Sequence, residues 1–151
     1  SKFVTEAIYR SILIKRKYVL TDEKEKLKNS HSRAILNFGH TFGHALETLY
    51  NYNKKLTHGE AISIGMTIAS KLSYKLNYLS LNQFNKICNH FKLNKLPIYD
   101  NKMFDKKIFQ IIEKDKKNIN GKINFILLSK IGKAFISKSL DIKNIKQNLV
   151  K

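Results

Sequence analysis

Cysteine, proline and tryptophan are almost missing from this chain of 151 residues, which holds one Cys, one Pro and no Trp. The single thiol, Cys88, excludes an internal disulfide framework and favours a reducing compartment. We interpret it as a buried structural thiol rather than as half of a metal pair with His90. No apolar run reaches the roughly 20 residues that span a bilayer, and the N-terminal SKFVTEAIYR has no signal-peptide pattern. We therefore expect a soluble cytoplasmic protein with no membrane partner.

Acidic residues are also scarce, since 11 Asp and Glu stand against 29 Lys and Arg for a formal net charge of +18. Such a charge is compatible with nucleic-acid binding, because cations that neutralise phosphates release counterions. However, the only arginines are Arg10, Arg16 and Arg33, whereas base readout favours the arginine fork. The lysines are scattered along the whole chain. The composition therefore predicts a solvated, lysine-rich surface and an attraction for an anionic substrate, with no nucleic-acid partner.

The scarcity of proline and glycine leaves few breaks in a helical pattern. A hydrophobic fraction of 42%, with nine Phe and seven Tyr, is typical of one globular domain spanning 1–151. The polar segment 21–32 is expected to be an exposed loop. Apolar spacing and capping residues predict helices over about 4–19, 37–50, 58–79, 80–91 and 103–114, and a last helix from Asp141 to about Val150.

The C-terminal part has a different pattern. The segment INFILL, over 123–128, is β-prone, Ile131-Gly132 is a turn signal, and 134–136 can pair back on the first segment. The fold class predicted from the sequence is therefore mainly α, a multi-helix domain with one small β-hairpin.

Three histidines form the most informative pattern in the sequence. His40 and His44 lie at positions i and i+4 of LNFGHTFGHALE and project from one helical face. His58 opens the next helix in THGEAISIGM, and a helix pair that folds back brings it opposite the first two. Neutral imidazoles that converge in this way can hold a metal ion with open coordination positions. The spacing alone predicts one three-histidine metal site.

Small and polar residues surround these histidines. Gly39, Gly43 and Gly59 flank them, although a glycine inside a helix costs about 1 kcal/mol, which indicates room for a ligand or for close backbone contact. If one helix begins near Arg33, then Arg33 and Asn37 form a stripe that continues into the histidines. Guanidinium, amide and imidazole groups together suit a carboxylate or a phosphate.

The sequence LNFGHTFGHALE followed by THGEAISIGM resembles the metal-site signature of the 3-dehydroquinate synthase family. The earlier segment IKRKYVLTDEKE resembles the family's lysine-containing helix and acidic turn. The later segment EKDKKNINGKINFILLSKIGKA resembles its Asp-Lys-Lys motif and apolar hairpin. The segment between Asp22 and Arg33 is longer than the usual family pattern. The resemblance covers nearly the whole chain, in the family's order, and corresponds to the C-terminal half of the enzyme.

The resemblance implies separate roles for the three histidines. His40 and His58 match the two histidine metal ligands, whereas His44 matches a histidine that contacts the substrate phosphate and assists proton transfer. Glu60 matches the glutamate of the HGE motif and is expected to support a ligand. The residues that match anion-binding positions of the family are Lys15, Arg33, Asn37 and either Lys116 or Lys117.

The same resemblance implies a larger enzyme. Family members carry a preceding NAD-binding α/β domain and a further glutamate ligand, and no glycine-rich loop or parallel βαβ pattern of such a domain occurs here. The implied cofactors are NAD and a zinc or cobalt ion, and the implied assembly is a homodimer of the full-length enzyme. We therefore expect the isolated chain to be inactive.

The implied reaction converts 3-deoxy-D-arabino-heptulosonate 7-phosphate, a phosphorylated sugar acid, into 3-dehydroquinate and phosphate in the shikimate pathway. One alternative is another sugar-phosphate cyclase, such as a 2-deoxy-scyllo-inosose synthase, or a metal-dependent polyol dehydrogenase of the same superfamily. Lys15 and Arg33 favour a substrate that carries a carboxylate. A remote alternative is a non-catalytic basic module that binds nucleic acid.

Overall fold

A computed structural model describes residues 1–52, 55–116, 123–137 and 140–150. Within these ranges the chain forms helices and one two-stranded antiparallel sheet, which confirms the predicted fold class. A short 3-10 helix spans Arg33–Asn37. The α-helices are α1 (Lys2–Thr21), α2 (His40–Leu49), α3 (His58–Lys75), α4 (Leu81–Leu93), α5 (Lys106–Lys116) and α6 (Ile142–Val150), and the strands are β1 (Ile126–Lys130) and β2 (Lys133–Ile136).

Local sequence signals account for most helix boundaries. Ser80 accepts a hydrogen bond from the Gln83 N–H at the start of α4, as predicted, but the Gln83 side chain accepts from the Ile131 N–H instead of returning to Ser80. Helix α5 begins later than predicted because the Asp105 carboxylate accepts the Lys107 N–H and caps it there. The hairpin forms at the predicted turn, where Gly132 has a φ of +79°.

Helix α3 is the centre of the core. Its buried side chains Ile64, Ile68 and Leu72 are packed against buried side chains of α2, α5, α6 and β1, which are Phe42, Leu46, Ile108, Ile112, Leu127, Ile145 and Leu149. Small polar residues of α3 make hydrogen bonds inside this core. The Ser73 hydroxyl donates to the Ala69 carbonyl and accepts the Leu128 N–H at 3.0 Å, so that it joins α3 to β1.

Helices α2 and α3 approach each other through backbone rather than through side chains. A Cβ added at Gly65 would overlap the Gly39 carbonyl oxygen and lie 2.7 Å from the Gly43 nitrogen. A Cβ added at Gly43 would lie 3.1 Å from the Ala61 carbonyl oxygen. Gly39 and Gly43 therefore serve close helix contact, which was one of the two reasons predicted for them, whereas a Cβ at Gly59 would have nothing within 4 Å.

Two further side chains of interest lie outside this core. Cys88 is half-buried, and burial raises the pKa of its thiol, as suits an unreactive structural cysteine. His31 is exposed in the loop that precedes the 3-10 helix. Within the described ranges, no helix combines the length and the hydropathy that a bilayer crossing requires.

We predict that Gly65→Ala destabilises the protein by about 3 kcal/mol or more, the upper end for overpacking, because the new methyl group meets backbone that cannot rotate away. The free energy of unfolding in urea measures this loss. Gly59→Ala is the matched control, since a Cβ there has nothing within 4 Å and changes stability by at most about 1 kcal/mol. Equal midpoints for Gly65→Ala and the wild type would contradict the close approach.

Candidate metal and anion site

The Asp22 carboxylate organises the loop that leads from α1 to Arg33. Its two oxygens accept N–H groups from Lys26 at 2.8 Å, from Leu27 at 3.2 and 3.3 Å, and from Arg33 at 3.0 Å. Asp22 is 5% exposed, and burial alone would raise the pKa of its carboxyl group. The hydrogen bonds outweigh burial and hold that pKa below its usual value. The carboxylate therefore fixes the backbone position of Arg33.

Gly39 separates Arg33 and Asn37 from the histidine helix. The 3-10 helix ends at Asn37, and Gly39 has a φ of +85°, so α2 begins in a new direction at His40. A side chain at Gly39 would collide with Met66 of α3. The condition that one helix begins near Arg33 is therefore not met, and the helix predicted over 37–50 begins at His40, because close packing on α3 requires the left-handed turn that glycine adopts readily. Arg33 and Asn37 are instead connected to the histidine helix through the turn at Gly39.

The three histidines cluster as the spacing predicts. The ring centroid of His40 lies 5.3 Å from that of His44 and 6.0 Å from that of His58, and the last two rings are 6.0 Å apart. His40 and His44 come from the first two turns of α2, and His58 is the first residue of α3. The close crossing of the two helices brings their N-terminal residues into one cluster.

His40 is the most enclosed of these histidines. Burial lowers the pKa of its ring, a 3.4 Å contact between Nδ1 and the Phe38 carbonyl oxygen opposes this shift, and electrostatic interaction with His44 and His58 lowers the pKa further. The ring is therefore neutral at pH 7. A neutral imidazole retains the lone pair that a metal ion needs.

The carboxylate that contacts His58 is Glu47 of α2, not Glu60. Glu47 Oε1 lies 2.9 Å from His58 Nδ1. Glu60 instead accepts both the N–H and the hydroxyl of Thr57, which completes a capping box at the start of α3 and lowers the pKa of Glu60. The expected support of a ligand by Glu60 is thus limited to fixing the backbone of the turn that carries His58.

Two neighbouring cavities share Asn37 and His40 in their walls. One, of about 470 Å³, is lined by Ser11, Ile14, Lys15, Glu25, Arg33, Leu36, Asn37 and His40. The other, a cleft of about 990 Å³, is lined by Asn37, His40, Thr41, His44, Ala45, Glu47, Thr48, Tyr52, His58, Ile111, Ile112 and Lys114. The structure therefore places Lys15 and Arg33 beside the histidine cluster, with Asn37 and His40 between the two.

The donor groups of the cleft fit a divalent metal ion. Among the described residues, ligand atoms of His44, Glu47 and His58 lie within 4.8 Å of one another. Imidazole nitrogen and carboxylate oxygen are ligands that zinc and cobalt both accept. The rings alone do not distinguish His40 from His44 as the partner of His58, so the division of roles implied by the resemblance stays a prediction.

Two charged residues of the cleft were not predicted from the sequence. Glu47 lies three residues after His44, so helical spacing could have placed it on the same face. Lys114 lines the cleft from α5, although the lysines expected there were Lys116 and Lys117. Lys116 is the last residue of α5, and Lys117 lies outside the described residues.

Comparison with known proteins identifies the family. The family model described as 3-dehydroquinate synthase C-terminal matches residues 1–118. The chain is 40% identical over 149 residues to the 3-dehydroquinate synthase of Pelagibacter ubique, with 96% of the chain and 39% of that protein covered. It is 36% identical over 143 residues to that of Acinetobacter baylyi, with 95% and 38% covered. The chain belongs to the 3-dehydroquinate synthase family.

Solved structures support the fold of this family member. One match is a 2-epi-5-epi-valiolone synthase from Streptomyces hygroscopicus with NAD⁺ and Zn²⁺ bound. The match covers 99% of this chain and 40% of that synthase, with a TM-score of 0.79 and 18% identity. A second match is a 2-deoxy-scyllo-inosose synthase in complex with carbaglucose-6-phosphate, NAD⁺ and Co²⁺. The match covers 78% of this chain and 33% of that synthase, with a TM-score of 0.60 and 28% identity. The chain thus spans about two fifths of the synthases that it resembles in sequence.

We predict that the acid sensitivity of this synthase domain depends on Asp22. Because its pKa is lower in the folded than in the unfolded chain, the folded state binds fewer protons, and stability is lost as pH falls below about 4, the ordinary value of an aspartate. Urea unfolding of Asp22→Asn between pH 5 and pH 3 checks this, and we expect a lower stability at pH 5 with a flatter dependence on pH. Parallel curves for the variant and the wild type would contradict it.

Proposed function

We propose that this chain is the metal- and substrate-binding half of a cytoplasmic 3-dehydroquinate synthase, which converts 3-deoxy-D-arabino-heptulosonate 7-phosphate into 3-dehydroquinate and phosphate. The observation that carries the proposal is the pair of cavities that share Asn37 and His40. One contains the cations of Lys15 and Arg33, and the other contains the histidine cluster. Family membership and the matched synthases support this assignment.

The cavity that Lys15 and Arg33 line, called the cationic cavity below, suits a substrate with two anionic groups. Lys15 supplies a point charge and Arg33 a planar fork for a carboxylate or phosphate, while Asn37 offers an amide donor beside them. Lys116 and Lys117 are proposed as further anion contacts, as the resemblance implies. These groups bind and orient the substrate, which lowers the entropic part of the barrier before any bond is broken.

His40 and His58 are proposed to hold the metal, and His44 to contact the substrate phosphate and move a proton there. Their imidazole nitrogens fit zinc or cobalt, and a glutamate from the NAD-binding half is the proposed third ligand. When bound, NAD supplies a reversible hydride transfer, and the metal acts as a Lewis acid on a substrate oxygen. The neutral ring of His40 is ready to act as a ligand at pH 7.

Turnover of two phosphorylated sugars tests this function. The chain is joined to the N-terminal half of the Pelagibacter ubique synthase, and phosphate release is measured with the heptulosonate phosphate and with glucose 6-phosphate. We expect release from the heptulosonate alone, because Lys15 and Arg33 suit its carboxylate, and at least a 100-fold loss in Arg33→Ala. Lys86→Ala, which removes an exposed cation of α4, is the control. Release from glucose 6-phosphate alone would assign the chain to another sugar-phosphate cyclase.

Helix α1 presents the surface on which we propose that the NAD-binding half packs. None of its residues is buried, and Phe3, Ile8, Ile12 and Leu20 are between 56% and 87% exposed. Most of the stability of a helix in a protein comes from packing of its apolar face rather than from intrinsic propensity, so this exposed face favours a packing partner. Ile14 and Lys15 of the same helix line the cationic cavity, so a domain that covers α1 also encloses the substrate site.

The charges of α1 favour that partner over a second copy of the chain. The helix carries Lys2, Arg10, Lys15, Arg16 and Lys17 but a single acidic residue, Glu6, which pairs with Arg10. Two copies of such a surface would repel each other. The complementary partner is an apolar surface with an acidic rim.

Mixing this chain with the separately purified N-terminal half of the Pelagibacter ubique synthase tests the packing. Calorimetry is expected to detect a complex that Ile8→Lys/Ile12→Lys weakens at least 10-fold, because each lysine would be buried against apolar surface. Leu93→Lys/Tyr99→Lys is the matched control, since both side chains are exposed and lie away from α1.

Two results would contradict this packing. The first is equal affinity for the α1 variant and its control. The second is a dimer of the isolated chain, detected by sedimentation, that the α1 variant dissociates, because a second copy would then be the occupant of this surface.

A further inference from the structure

The contact between Glu47 and His58 joins the two helices of the histidine cluster. Glu47 Oε1 lies 2.9 Å from His58 Nδ1, and the side chain of Glu47 is 11% exposed whereas that of His58 is 61% exposed. A largely buried acceptor thus holds a largely exposed ring. Water competes less for a carboxylate in that position than for an exposed one.

Two roles for Glu47 are compatible with its place in the cleft. Its carboxylate lies close enough to His44 and His58 to act as a metal ligand beside them. Alternatively it orients His58, since an imidazole that holds a metal donates its other ring N–H to a carboxylate in many metal sites. The position of the contact separates the two roles, because the carboxylate meets Nδ1 of the ring and leaves Nε2 with its lone pair.

We propose that Glu47 is a positioning residue that fixes the tautomer and the orientation of His58, so that Nε2 is the ligand atom. The capping box between Thr57 and Glu60 fixes the backbone at His58, and the remaining freedom is rotation of the ring. The contact from Glu47 removes that freedom. This inference rests on the proposed metal site and adds to it a residue that acts through His58.

Ring nitrogen NMR of the metal-free chain, labelled with ¹⁵N-histidine, tests the tautomer. We expect His58 to carry its proton on Nδ1 in the wild type and in Glu47→Gln, because the amide oxygen accepts the same hydrogen bond. Glu47→Ala is expected to shift His58 towards the Nε2–H form that a histidine side chain favours in water. Glu113→Ala removes the same charge from an exposed position of α5 and serves as the matched control.

Zinc affinity, measured by competition with a chelator, separates positioning from ligation. A positioning role predicts a loss of roughly 10- to 100-fold in Glu47→Ala, a smaller loss in Glu47→Gln, and no further loss when Glu47→Ala is added to His58→Ala. A ligand role predicts equal losses for Ala and Gln, and an additional loss in the His58→Ala background. Thermal unfolding establishes that each variant is folded.

The proposal is overturned if the His58 tautomer is unchanged in Glu47→Ala, or if the affinities follow the pattern of a ligand. Both measurements use the chain without substrate or NAD. If no synthase turnover is detected, the tautomer and zinc measurements still test the role of Glu47. If those measurements contradict that role, the assignment of the reaction is unaffected. The two proposals can be judged separately.

Discussion

The backbone contact between α2 and α3 is the constraint on which the site depends. Gly65 lies against the Gly39 carbonyl and the Gly43 nitrogen, so the two helices come closer than side chains of ordinary size allow. Because His40 and His44 begin α2 and His58 begins α3, this closeness sets the separation of the three rings. The same contact forces the left-handed turn at Gly39 that carries the chain from the 3-10 helix into α2. One helix contact therefore determines both how α2 packs on α3 and how far apart the three histidines lie.

Features that depend on neighbouring residues could be predicted from the sequence. The i and i+4 spacing of His40 and His44, the turn at Ile131-Gly132 and the cap at Ser80 are all local, and the structure contains each of them. The group of expected anion-binding residues Lys15, Arg33 and Asn37 was predicted because the family motifs are specific, and the three residues line one cavity. Spacing and family resemblance thus predicted six of the polar residues that line the two cavities, which are Lys15, Arg33, Asn37, His40, His44 and His58.

Features that depend on the partner of a residue could not be predicted in the same way. Helical periodicity continues through Gly39, and only the presence of Met66 explains why the helix breaks there. The choice of Glu47 over Glu60 as the partner of His58 follows from the crossing of α2 and α3, which no local pattern encodes. Glu60 was the nearer residue in sequence, but the first turn of its own helix uses its carboxylate.

The Asp22 carboxylate has a consequence for how this region varies among relatives. It binds the N–H groups at both ends of the loop, at Lys26 and Leu27 on one side and at Arg33 on the other, so the intervening residues form an excursion closed at its base. Residues can be inserted into such a closed excursion at a small entropic cost, since the two ends stay where the carboxylate holds them. The longer segment between Asp22 and Arg33 that the family resemblance implies would be an insertion of that kind. Evolution can therefore lengthen this loop while the guanidinium keeps its place beside the histidines.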